Sequence, residues 1–126
     1  MYSTNKKAKK ININTIKPDK SLLSEKRNYF VGKAILHDIS KAIDAKDQKV
    51  YYAEFQNGGH TKVHYHEGGQ TLLVVEGKGV LVLYKKSNEK RKKIRIKPVA
   101  KLLLKTGDVA YIPKYTLHWH GSVGRK

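Results

Sequence analysis

From Asn28 onward the chain is a succession of short β-type runs with turn residues between them, and almost none of it carries helical period. The runs are "NYFVGKAILHDI", "KVYYAEF", "TKVHYH", "QTLLVV", "VLVLYKK", "KIRIKP", "AKLLLK" and "VAYIP", followed by "KYTLHWHG". About eight strands at such spacing predict an all-β sandwich or barrel. "QNGGH" has turn chemistry, "SKAIDAKDQ" predicts a connector or short turn, and "SNEKRKK" predicts a charged loop. "EGKG" between two apolar runs predicts a hairpin. "TLLVV" and "VLVLY" are apolar on both faces, which predicts cover from a second sheet and a subunit interface, and hence a homodimer.

Residues 1–27 predict a basic N-terminal arm and residues 28–126 a single domain. In the arm, "KININTIKP" alternates Ile11 and Ile13 with Asn12 and Asn14, the period of a strand. An isolated strand needs an edge, so the arm is expected to pair with the domain or with a second copy. "SLLSEK" predicts a short helical turn.

There is no cysteine, which removes disulfides and thiolate metal sites. No segment is long and apolar enough to span a bilayer, and the basic N-terminus lacks an apolar export run, so a cytoplasmic protein with no membrane partner is expected. The net charge is +17, from 27 Lys and Arg against 10 Asp and Glu. Such a bias favours anionic partners: acidic metabolites, nucleic acid or anionic lipid. Lysine greatly outnumbers arginine, the better phosphate fork, and this counts against nucleic acid.

Five of the six histidines cluster: His60, His64 and His66, then His118 and His120, while His37 stands alone. Strand alternation puts His64 and His66 on one face and His118 and His120 on one face, with Trp119 opposite. His60 shares the histidine face if its strand runs back far enough. Gln70 follows the Gly68-Gly69 turn, within reach of the histidines. Imidazoles grouped in this way suit a divalent transition metal such as Zn, Cu, Fe or Ni. The other use of such a group is a pH-responsive polar interior.

These stretches resemble the cupins. Their first motif, G-x5-H-x-H-x3-4-E-x6-G, is matched by Gly58, His64, His66, Gln70 and Gly77, with Gln in the acidic position. Their second, G-x5-P-x-G-x2-H-x3-N, is matched by Gly107, Pro113 and His118, with Tyr115 for the glycine and Ser122 for the asparagine. "HEGGQTLLVVEGKG" and "GDVAYIPKYTLHWHG" are closest to small single-domain cupins with Gln in the first motif and an H-W-H-G ending. Relatives of that subgroup occur beside, or fused to, carboxymuconolactone decarboxylase-like proteins. The resemblance covers about residues 28 to 121.

It implies a double-sheet, jelly-roll β-barrel around a metal held by His64, His66, Gln70 and His118, the metal being Zn, Fe, Mn, Ni or Cu. Only six residues follow His120, so an incomplete C-terminal strand is expected, either covered by the arm of a partner or marking a truncated chain. Three neutral imidazoles and a neutral amide leave the metal charge uncompensated, which makes a stronger Lewis acid with a weaker hold on its ion.

The first function this supports is a metal-dependent enzyme acting on a small anionic organic molecule by dioxygenase-, decarboxylase- or isomerase-type chemistry. His120 or His60 would transfer a proton. Tyr111 shares parity with Val109 and is expected either to face the cavity or simply to pack the barrel. The alternative is a non-enzymatic small-ligand or metal sensor. The third is a nucleic-acid-associated protein using "KSNEKRKKIRIK" and the N-terminal lysines, where few aromatics interleave for base stacking.

Overall fold

The computed structural model describes residues 8–19, 29–86 and 96–123. Seven strands carry it: β1 (Phe30–Asp38), β2 (Tyr51–Thr61), β3 (Gln70–Leu73), β4 (Lys78–Lys86), β5 (Ile96–Lys105), β6 (Val109–Ile112) and β7 (Leu117–Ser122). They form a five-stranded sheet in the order β1-β2-β7-β4-β5 and a two-stranded sheet β3-β6. The helical elements lying wholly within the described residues are the single turn α1 (Ile39–Ala42) and a 3-10 turn at Ile13–Thr15. The fold is all-β, as the spacing of the runs predicts. No helix of the described residues is long and apolar enough to cross a membrane.

The chain divides into two compact units, Met1–Lys26 with Ile35–Glu54, and Arg27–Ala34 with Phe55–Lys126. In the first unit the predicted strand at "KININTIKP" is absent. Asn12 caps a 3-10 turn instead, its Oδ1 accepting from the Asn14 amide at 2.9 Å. A short polar side chain that satisfies a nearby backbone donor competes with a strand ladder, and here it wins. The following segment meets β1 through the Asp19 amide, which donates to Leu36 O at 2.8 Å. His37 is buried beside it, bonded through Nδ1 to Ile16 O at 2.9 Å, with Nε2 4.0 Å from Glu54. The helical turn expected at "SLLSEK" and the loop expected at "SNEKRKK" lie outside the described residues.

In the second unit, three departures from the sequence reading decide where the site is built. First, "QNGGH" does not reverse the chain. β2 runs straight through it, with positive φ at Asn57 (52°) and Gly58 (79°). Turn residues inside a strand bend it when neighbours hold both ends. Gly59 has no room for a side chain, because a Cβ there would run into Lys33 O.

Second, "QTLLVV" and "VLVLYKK" are not a hairpin. β3 pairs with β6, from Gln70↔Ile112 to Leu73↔Val109, while β4 lies between β5 and β7. The "EGKG" stretch is a corner where the chain changes sheet. It lies against the turn after β5: Val74 N donates to Asp108 O (2.9 Å), Gly107 N to Val74 O (2.8 Å) and Gly77 N to Thr106 Oγ1 (3.0 Å). Third, the described end of "KIRIKP", from Ile96, and "AKLLLK" form one strand, β5, which among the described residues pairs only with β4, so Pro98 costs little on this edge. A register shift between Leu83 and Tyr84 accommodates it.

The core of this unit is Ala34 of β1, Val80, Leu81 and Val82 of β4, and Ile112 of β6. The β4 run is covered on both faces, as expected. The β3 run is not: Leu73 is 62% exposed.

Candidate metal centre

The two histidine motifs meet at one backbone contact. His64 lies outside any strand but forms an isolated antiparallel bridge with His118 of β7. Each amide donates to the other's carbonyl at 2.9 Å. The expectation of a strand through "TKVHYH" is therefore corrected: β2 ends at Thr61, and the bridge alone registers His64. From there the rings converge. Centroids are 4.3 Å apart for His64 and His118, 4.7 Å for His64 and His66, and 5.0 Å for His66 and His118. One ring nitrogen from each of the three lies within 4.8 Å of the others.

The same local device orients two of these rings. His64 Nδ1 bonds to Lys62 O at 2.6 Å, and His118 Nδ1 bonds to Thr116 O at 2.8 Å. A carbonyl only accepts, so each Nδ1 carries the proton and each Nε2 keeps its lone pair. Fixing the tautomer from behind in this way is what a metal-ligating imidazole requires. His118 is fully buried, and its Nε2 has no hydrogen-bond partner. Gln70 Oε1 is likewise buried and unpartnered. A buried acceptor without a donor costs free energy, and a cation within reach of such an atom would remove that cost. Donor set and orphaned atoms both fit a divalent metal.

Burial lowers the His118 pKa to about 4, with the backbone bond to Thr116 opposing and His64 and His66 adding to the drop. Burial lowers His120 further, to about 3, helped by His118, His64 and His66. Both rings are neutral at pH 7, the form that donates to a metal. His120 stacks on His118 with centroids 6.0 Å apart and stands at right angles to the Phe55 ring, with centroids 5.7 Å apart. It lies beside the three-ring cluster without joining it.

His60 is placed elsewhere. It pairs with Gly121 across β2 and β7, so it takes the face of Gly121 and Trp119, opposite His118 and His120. Its ring packs 4.9 Å from Trp119. The structure does not bring His60 to the other histidines. Parity counted back from His64 fails because Lys62 and Val63 are not in a strand. Tyr111 does not face a cavity either: it is 65% exposed, because Ala110 and Ile112 take the inward positions of β6.

Two supporting residues escape a search for ligands. Ser122 stands at the asparagine position of the second motif. Its Oγ accepts from Gly58 N at 3.0 Å and donates to Gly59 O at 3.4 Å, which ties it to the first residue of the first motif. Thr61 Oγ1 accepts from His120 N at 3.2 Å. Beside them Gly121 lies so close to Gly59 and His60 that a Cβ does not fit. Tyr115, in place of the motif glycine, keeps the glycine's backbone at φ 60°, and its amide donates to His66 O at 2.7 Å.

The family profile described as Cupin matches residues 48–126. Among solved structures, the chain is similar to a cupin-like protein from Thermotoga maritima, with 30% sequence identity and a TM-score of 0.56. The alignment covers 76% of this chain and 63% of that one, so the chain spans less than two thirds of this relative. No curated protein matches. The double-sheet jelly-roll expected from the motifs is the fold of that relative's class. With its two histidine motifs joined at one cluster and well over half its length matched, this chain belongs to the cupin family.

Proposed function

We propose that this cupin holds a divalent transition metal through His64, His66 and His118, with Gln70 as a fourth, weaker ligand, and acts on a small anionic organic molecule. The observation that carries this is the convergence of three ring nitrogens within 4.8 Å, with the buried Nε2 of His118 and Oε1 of Gln70 left unpartnered. The Gln-containing first motif and the H-W-H-G ending support reading it as one of the small cupins related to those that accompany carboxymuconolactone decarboxylase-like proteins.

A bound divalent ion supplies Lewis-acid polarisation of a substrate oxygen. The chain's own residues do the rest. Lys62 O and Thr116 O hold two imidazoles in the donating tautomer. The amide at Gln70 contributes no charge, so an anionic oxygen is the natural complement of the site. The lysine-rich surface raises the local concentration of such anions. His120, half-buried beside His118, is a further imidazole at the site, and with its pKa lowered to about 3 it accepts a proton only where a bound anion raises its basicity.

The test is metal content and turnover together. Elemental analysis of purified protein should find a transition metal near one per chain, lost in the double variant His64→Ala/His66→Ala. Metal retained by that variant overturns the ligand assignment. Oxygen uptake, or loss of a β-dicarbonyl or catechol-type compound, separates an enzyme from a sensor: binding without turnover across such a panel leaves the sensor.

A further inference from the structure

The face of β7, β4 and β5 opposite His118 and His120 is covered at β4 but open at β5, and there it carries a second feature that owes nothing to the metal site. The register sets three rows across it: Gly121–Val80–Leu103, Trp119–Val82–Lys101, and Lys78 opposite Lys105. Val80 and Val82 are buried, but Leu103 is 74% exposed between Lys101 and Lys105. Trp119 Nε1 donates to Tyr84 OH at 2.7 Å, so these two amphipathic rings lie side by side on this face. None of the three strands contains an acidic residue or an arginine. Lys78 and Lys105 stand directly opposed, and so do Lys85 and Lys97 on the other face. Like charges placed opposite one another weaken a sheet unless something anionic lies over them.

We propose that the exposed β5 edge of this face docks on an anionic phospholipid surface, with Leu103 entering the interfacial zone and Lys78, Lys101 and Lys105 contacting the headgroups. Lysines alone protect an exposed edge strand from pairing. That accounts for Lys101 and Lys105 but not for Leu103 left in water between them. A nucleic acid gains nothing from Leu103 and is better gripped by arginine. A second copy laid symmetrically on this face brings its own lysines against these, with no acid to receive them. Lipid satisfies both halves: its anions take the lysines, and its acyl boundary takes the leucine. The expectation of no membrane partner rested on the lack of a spanning segment, and surface docking needs none.

The experiment is co-sedimentation of the full chain with phosphatidylcholine vesicles, with and without phosphatidylserine, at low and high salt. Binding should require phosphatidylserine and fall at high salt. Lys101→Glu/Lys105→Glu should lower partitioning by about tenfold or more. Leu103→Ser should lower it by about tenfold, with Leu103→Thr as its replacement if serine disturbs the strand. The charge-matched control Lys10→Glu/Lys49→Glu should stay within about twofold. Metal content and far-UV circular dichroism should not change in any variant, which separates this surface from the metal site. Four results overturn the proposal: no binding to phosphatidylserine vesicles, binding indifferent to Leu103, equal loss in the control, or a concentration-dependent dimer that Leu103→Ser dissolves. Oligonucleotide binding that needs the lysines, without vesicle binding, overturns it in favour of nucleic acid.

Discussion

The two halves of the candidate metal centre are built in different ways. His118 and His120 ride on β7, in the interior of the five-stranded sheet, and His118 is fully buried. His64 and His66 sit on irregular chain, half-buried, and are registered by one backbone bridge. One half is a structural element that also serves the site, and the other exists mainly for the site. Damage to the first should therefore cost fold and metal together. Damage to the second should cost metal alone.

The largest expected effect breaks the comparison at its buried end. His118→Ala should abolish metal binding and also destabilise the metal-free chain by about 2–4 kcal/mol, the usual cost of emptying a core position of that size. By contrast, His64→Ala should abolish metal binding while moving metal-free stability by only about 0.5 kcal/mol. Denaturant unfolding of chelator-treated protein measures both. Equal losses in the two variants would erase the distinction.

Ser122→Ala comes next. It removes the hydroxyl that joins the motifs through Gly58 and Gly59, and should cost about 1–2 kcal/mol with weaker metal affinity. Metal titration and chemical unfolding read the two effects separately. Gln70→Glu should tighten metal binding by adding the charge the site lacks, and should lower its electrophilicity. Looser binding would mean that Gln70 is not a ligand.

Acid acts on the β7 half. The folded pKa values of His118 and His120, about 4 and about 3, lie below the ordinary 6.5. The unfolded chain therefore binds more protons below pH 6.5, and stability rises with pH there. The contribution is complete above about pH 6.5 and is lost as pH falls through about 4 and then 3. Thermal unfolding of the metal-free protein against pH checks this, and His120→Phe should flatten the slope. The smallest effect belongs to the first half's neighbour: Tyr115→Gly should relieve the left-handed backbone and raise stability by about 0.5 kcal/mol.

The β-character of the chain, the β4 core and the three-histidine cluster were legible in the sequence because each depends on local period and motif spacing. What was not legible depends on partners. Nothing in "EGKG" announces that β3 pairs with β6 and β4 with β5 and β7, since a glycine corner and a hairpin use the same residues. His60 was misplaced because alternation holds only within a strand, and the strand stops at Thr61. The carbonyls of Lys62 and Thr116 that orient the rings belong to the backbone, so no residue type marks them. Asn12 defeated the strand expected in the arm by a bond of its own side chain.

The bond between Ser122 and Gly58 joins residues 64 positions apart, and the bridge between His64 and His118 closes inside it. Such a loop must shut before any imidazole of the first motif meets one of the second. Closure over that length is slow compared with forming a local hairpin. The candidate centre is therefore expected among the last features of the chain to assemble. A metal would then meet a nearly finished protein rather than template it, and the rate of metal uptake by a refolding sample tests that order.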